Sequence, residues 1–320
     1  MNIKPGIAAI DEATEKLSNW NRWGKDDEIG TLNLVAPEDI IAAAKLVRKG
    51  KVFAMGLPLD KNGPQRGAFD GPPRWNPIHT MLATGTDGLA GRYDEKPKIR
   101  YADDAISMPI QCATHWDALG HVFYGDTMYN GYSAALVDAL GVHKNGIEHT
   151  RDKMVGRGVL LDVARCKGVD DLDDGYAITN ADLDSAAKAQ GVEIRRGDFV
   201  MVRTGHMERV RKAGDWGTYA GGDAPGVAFE NCYWCHEKDI AAICTDTWGV
   251  EVRPNGTPET AQPWHQVVIP AMGLTMGEMF DLSELAADCA EDCVYEFFFC
   301  APPLIITGGT GSPINPQAIK

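Results

Sequence analysis

No apolar run in this sequence reaches the roughly 18 residues that a membrane-spanning helix needs. A membrane span is therefore not expected. The first residues, Met1 to Lys16, alternate apolar and charged types and contain no continuous apolar core of a secretion signal, so the cytoplasm is the expected location. Basic clusters are also missing. Lys and Arg number 31 against 45 Asp and Glu, a net charge of −14. A surface of that sign repels a phosphate backbone, which argues against nucleic acid as a partner. The G-x-S-x-G turn of a serine hydrolase is absent. The glycine-rich run Gly308–Pro313 has neither the lysine of a phosphate-binding loop nor dinucleotide-site spacing, and reads as a tight turn. No internal repeat, low-complexity stretch or linker divides the chain, so residues 1–320 are expected to form one domain.

What is present is ordinary for a globular protein: 320 residues, 44% of them hydrophobic and 24% charged. The eight cysteines read as reduced thiols. Cys232-Tyr-Trp-Cys235-His236 matches the haem-attachment spacing, but no export signal accompanies it and no second ligand pair is placed for zinc. Two cysteines at i and i+3 on one helix face, acting as small hydrophobes, account for it better.

Local patterns suggest alternating helices and strands. Pro37 with Glu38 and Asp39 starts a helix that Gly50 ends. Lys51–Leu59 reads as a strand. Asp60–Trp75, rich in Gly, Pro and charge, reads as a loop long enough to form a lid. Gly158–Val163, Phe199–Arg203, Ile240–Cys244 and Val294–Cys300 read as strands. Asn180–Gln190, Glu230–Lys238 and Leu282–Asp292 read as helices, the first closed by Gly191. This supports a mixed α/β fold.

The most informative segment is Gln111-Cys-Ala-Thr-His115-Trp-Asp117-Ala-Leu-Gly-His121. In an extended backbone His115 and Asp117, two residues apart, point to the same side. Imidazole nitrogen and carboxylate oxygen together suit a divalent metal such as Zn²⁺ or Mn²⁺. A further imidazole at His121 suits proton transfer. A loop holding two histidines by chance is the alternative.

The segment resembles the H-x-G-T-H-x-D-x-P-x-H signature of the cyclase family of metal-dependent hydrolases, which includes bacterial kynurenine formamidase and isatin hydrolase. Thr114, His115, Asp117 and His121 match it. Gln111, Ala113 and Leu119 depart from it at the first His, the Gly and the Pro. Three more segments resemble the family in order: Gly197–Gly205 its G-D-x-x-x-x-R-T-G strand, Thr245–Glu251 its D-T-x-x-x-(D/E) segment, and His265 with Glu278 its H-x₁₁–₁₂-E pair, here thirteen positions apart. The matches run from about residue 20 to about residue 317.

The resemblance implies a swivelling β/β/α fold, with one or two metal ions at one end of a small barrel-like mixed sheet. It implies His115, Asp117, His265 and Glu278 as metal ligands, with Asp117 bridging in a two-metal site. Gln111 is either a weak amide-oxygen ligand or a hydrogen-bonding partner of the ion's water. Its presence argues against kynurenine formamidase itself. His121 is either the general base and acid or a further ligand. Trp75, His79, Trp116 and Trp248 are candidates to line the substrate site, with core packing the alternative for each Trp. The implied activity is hydrolysis of a small cyclic amide, aryl formamide or lactone by a metal-activated water. The rivals are a lyase or cyclase using the ion as a Lewis acid, and a silent ligand-binding protein. A small-molecule substrate and a homo-oligomer, dimer or tetramer, are the expected partners.

Overall fold

The computed structural model describes residues 5–66, 74–95 and 99–320. Its centre is a nine-stranded mixed sheet that curls into a half-barrel, with helices around it. In chain order the strands are β1 (Val52–Ala54), β2 (His115–Asp117), β3 (Val155–Asp162), β4 (Phe199–Arg203), β5 (Ala242–Thr245), β6 (Thr275–Glu278), β7 (Glu296–Cys300), β8 (Gly311–Pro313) and β9 (Gln317–Ile319). Their order across the sheet is β1-β9-β7-β3-β4-β5-β6-β2-β8.

The middle of the sheet is parallel: β3 with β4, β4 with β5, and β5 with β6. Parallel neighbours need crossovers. Helix α3 (Asn180–Gln190) lies between β3 and β4 in the chain, α5 (Asn231–Lys238) between β4 and β5, and α6 (His265–Val268) between β5 and β6. Strands covered on both faces lose the polar half of their alternation. Hence the near-continuous apolar runs of β4 and β5, buried along their whole length. The flanking pairs, including β6 with β2 and β2 with β8, are antiparallel.

Successive residues of each strand enter two different cores. Val159, Leu161, Val200, Val202, Ile243 and Met276 pack against α3, α5, α6 and the first helix, α1 (Ile7–Lys16). Leu160, Phe199, Met201, Cys244, Phe297 and Phe299 face the other way, where Trp116 and helix α7 (Ser283–Asp292) close the layer. Cys232 and Cys235 are buried on α5 in the first core, and burial pushes both thiols well above their usual range. They behave as the small hydrophobes the i, i+3 spacing suggests.

Two expectations change in the structure. The strand expected over Lys51–Leu59 pairs only over Val52–Ala54, against β9. Beyond it, Leu57 N–H donates to the Thr114 hydroxyl instead of a ladder, and Pro58 has no N–H to give. The run Gly308–Pro313 does turn at Gly308 (φ +69°). Its last three residues, however, form edge strand β8 beside β2. Part of the loop expected over Asp60–Trp75, residues 67–73, lies outside the described residues. Among the described residues no helix is long and apolar enough to cross a membrane.

Candidate metal centre

Strand β2 is three residues long, held between β6 and β8. Its alternation does the sorting. Trp116 points into the second core, packed edge-on to Phe280 and Phe299, with its indole N–H on the Ala301 carbonyl at 2.8 Å. This corrects the expectation that Trp116 lines a substrate site, because an odd-numbered step along the strand puts it on the opposite face from its neighbours. Room for its ring comes from Gly277, directly opposite in β6. A Cβ at Gly277 would sit 2.5 Å from Phe280 and 2.8 Å from Trp116.

His115 and Asp117 share the other face, and His115 pairs in register with Glu278 of β6. Directly opposed residues of an antiparallel pair bring their side chains together. His115 Nε2 lies 3.2 Å from Asp117 Oδ1 and 3.4 Å from Glu278 Oε2. His265, in the first turn of α6, brings Nε2 to 3.4 Å from Glu278 Oε1. His121 Nε2 lies 3.7 Å from Asp117 Oδ1. The structure thus brings together five residues that are up to 163 positions apart in the sequence.

The environment of each is set locally. The His115 ring uses Nδ1 on its own segment's Ala113 carbonyl, at 2.8 Å, which aims Nε2 at the acids. Thr114 holds the strand from below: its hydroxyl donates to the Met279 carbonyl and accepts from Leu57 N–H. Burial by itself would push the Asp117 carboxyl up, but His121, His115 and His265 together hold it well below the usual carboxylate range. Burial by itself would depress His265, yet Glu251 and Glu278 overrule it and lift the ring to about 10. His115 is raised likewise, burial being outweighed by Asp117 and Glu278. For His121 burial wins over the pull of Asp117, and its pKa is lowered. Carboxylates packed this tightly demand positive charge beside them, which protons or a divalent ion can supply.

The residues present fit such an ion. His115, Asp117 and Glu278 form a buried group whose ligand atoms lie within 4.8 Å of one another. His115 Nε2 and Asp117 Oδ1 are buried atoms with no hydrogen-bond partner. Buried polar atoms left without partners are costly unless an ion or water completes them. Imidazole and carboxylate are also the donor types of Zn²⁺ and Mn²⁺ sites.

Gln111 lies at the rim of this cluster. Its amide N–H donates to the Thr310 hydroxyl at 3.1 Å, beside Gly311, the residue paired with Asp117. Trp248 is buried near Cys112 and Ala113 but lies under the guanidinium of Arg74, 5.2 Å from its ring. Trp75 and His79 are elsewhere. They line a surface cleft of about 640 Å³ with Leu59, Lys61 and Asn76, and His79 pairs with Asp104 at 2.7 Å on an outlying two-stranded hairpin. None of the five clustered residues lines that cleft. Exposed Trp and His in a polar loop look alike in sequence whether they face a site or solvent.

One residue was missing from the predicted ligand set. Glu251 accepts from His265 Nδ1 at 2.5 Å. It closes the Thr245–Glu251 segment, so the pattern marked its place without giving it a role. The same segment meets the matched Gly197–Gly205 segment in a supporting contact. Asp246, at the end of β5, accepts the backbone N–H groups of Thr204 and Gly205 and the Thr204 hydroxyl. It braces a turn at Gly205 (φ +80°), where a Cβ would strike the Asp170 carbonyl.

The fold built on this curled sheet has known counterparts. The family model described as "Putative cyclase" matches residues 35–252. The solved structure of a novel cyclase is 41% identical, with a TM-score of 0.84 over 95% of this chain and 100% of that one. The chain belongs to the cyclase family, and its fold is the cyclase-like one. Isatin hydrolase A from Ralstonia solanacearum shares the fold at 18% identity and a TM-score of 0.63, over 89% of this chain and 98% of its own. So does a potential metal-dependent hydrolase with cyclase activity, at 18% identity and a TM-score of 0.50, over 84% and 98%. No curated protein is matched by the sequence.

Proposed function

We propose that this chain is a divalent-metal-dependent hydrolase that opens a small cyclic amide, an aryl formamide or a lactone. The observation that carries the reading is the buried group His115, Asp117 and Glu278, whose ligand atoms lie within 4.8 Å of one another, with His115 Nε2 and Asp117 Oδ1 making no hydrogen bond. The fold shared with isatin hydrolase A supports a ring-opening substrate class. His115, Asp117 and Glu278 would hold the ion, with His265 completing the set. Bound there, Zn²⁺ or Mn²⁺ would supply an acidified water and polarise the scissile carbonyl.

The chain's own residues do the rest. The Ala113 carbonyl fixes the His115 ring. His121 has a side chain 23% exposed, so it reaches both the cluster and an incoming substrate. With its pKa lowered by burial, the ring is neutral near pH 7 and able to take a proton. It accepts a proton from the attacking water and returns it to the departing nitrogen or oxygen, so the His121 ring ends as it began, and the carboxylic acid product then ionises in solution.

The test is to load the protein with Zn²⁺ or Mn²⁺ and screen cyclic amides, aryl formamides and lactones in ¹⁸O-labelled water. Ring-opened acid, or formate from an aryl formamide, carrying one label supports hydrolysis. Turnover with no label incorporated would overturn it in favour of a lyase or cyclase.

A further inference from the structure

We propose that Glu251 is the positioning residue of this centre, fixing the His265 ring so that Nε2 faces Glu278. The inference rests on the reading of the cluster as a metal site. One carboxylate collects four donors. Its Oε1 accepts from His265 backbone N–H at 3.1 Å and from His265 Nδ1 at 2.5 Å. Its Oε2 accepts from Trp264 N–H at 3.2 Å and from the Asn255 amide at 3.3 Å. Ring and backbone of His265 are thus gripped by the same group, which removes rotation about the side chain as well as movement of the helix start.

The tautomer follows from the same contact. Without an ion the two carboxylates hold the ring protonated, Nε2 facing Glu278 Oε1 at 3.4 Å. When the ring gives up one proton to bind an ion, the Nδ1 contact with Glu251 keeps the remaining proton on Nδ1 and leaves Nε2 as the donor atom. The backbone is bent to deliver the carboxylate. Val250, a β-branched residue, sits at φ +46°, where such residues are rarely found. The chain then passes so close to Gly226 that a Cβ there would lie 2.4 Å from the Glu251 carbonyl carbon. Glu251 and His265 are both buried, so water does not compete for these bonds.

The experiment compares divalent-ion affinity, by competition with a chelator and by elemental analysis, in wild type, Glu251→Gln, His265→Ala and the double variant. Glu251→Gln keeps the size and one acceptor oxygen. It is expected to weaken ion binding about 10–100-fold and to weaken it little further once His265 is Ala. Melting temperatures, taken in parallel, report the purely structural share. An unchanged affinity in Glu251→Gln, or an equal loss with and without His265, overturns the proposal. If Glu251→Gln does not fold, Glu251→Asp, which keeps the charge and shortens the reach, is expected to show the same dependence on His265. A folded wild type that takes up neither Zn²⁺ nor Mn²⁺ overturns the site reading itself, a result separate from either outcome above.

Discussion

Two charge clusters, each with a buried carboxylate at its centre, are built on opposite principles. Near helix α7, Asp288 and Asp292 meet three lysines. Lys320 lies 2.9 Å from Asp288 and 2.8 Å from Asp292, Lys51 lies 2.6 Å from Asp288, and Lys49 lies 2.6 Å from Asp292. That cluster brings its own cations, two from the segment before β1 and one from the residue after β9. At the other, the groups nearest the carboxylates of Asp117 and Glu278 are imidazoles, with the charge of Arg74 close enough to act on His115 and His121, and Glu251 adds the Trp264 N–H and the Asn255 amide. His115 Nε2 and Asp117 Oδ1 make no hydrogen bond there, as Asp288 Oδ2 makes none in the first cluster, so the contrast lies in lysines against imidazoles. A charge network completed by the chain's own cations ties elements together. One in which imidazoles, which can be neutral, lie nearest the carboxylates leaves room for something from outside. The difference separates a structural cluster from a functional one more sharply than acid count or burial does.

The strongest way to break this contrast is to remove a ligand. His115→Ala and Asp117→Ala are each expected to lose bound metal and turnover together, down to background, because lost ligands remove both affinity and the acidified water. Elemental analysis of the purified variants decides it: either protein retaining wild-type metal would refute the assignment.

His121 is expected to show the next largest effect. It lies 3.7 Å from Asp117 and is partly exposed, a place suited to moving protons rather than holding an ion. His121→Ala should keep its metal and bind substrate while kcat drops about 10²–10⁴-fold. The limb of the pH–rate profile that belongs to this ring should vanish. A metal-free His121→Ala protein would make it a ligand instead.

Much of this centre is legible in the chain because strands sort residues by parity. His115 and Asp117, two apart, had to share a face if extended, and they do. The same parity would have excluded Trp116, had the step of one been weighed against its attractive ring. The buried strand Phe199–Arg203, the half-buried strand Glu296–Cys300 expected over Val294–Cys300, and the helix Asn180–Gln190 with its Gly191 stop are plain from apolar runs and caps. What the sequence hides is long-range. Nothing local says that β8 would pair beside β2, or that Lys320 would close onto Asp288, 32 positions earlier. Nor does spacing say which loop tryptophan turns inward. Trp75 and His79 have the composition of a site wall and stand in another cleft.

The self-completed cluster offers the third test, in acid. Burial would raise the Asp288 carboxyl, but hydrogen bonds from Lys51 and Lys320 bring it down to about 2. In the unfolded chain it titrates near 3.9. The folded form is then the weaker proton binder, so the contribution is complete above about pH 4 and is lost as pH falls toward about 2. Asp288→Asn should cost about 1–3 kcal/mol of unfolding free energy near neutrality and flatten the acid limb of denaturation midpoints between those values. Its metal content should not change. Metal loss in this variant would show that the two clusters are coupled and would spoil the comparison.

The smallest effect is expected at Gln111, where the functional cluster departs from its family's pattern. The amide is neutral and a weaker donor than imidazole, and its N–H is already engaged with Thr310. Gln111→His replaces a hard carbonyl oxygen with a borderline nitrogen at the rim of the centre. The ion's preference should then shift from Mn²⁺ toward Zn²⁺, while the His115 and Asp117 contacts that carry most of the affinity stay in place. Competition of the two ions for one protein sample measures the ratio directly. A ratio equal to wild type would assign Gln111 to holding Thr310, and with it strand β8, and not to the ion.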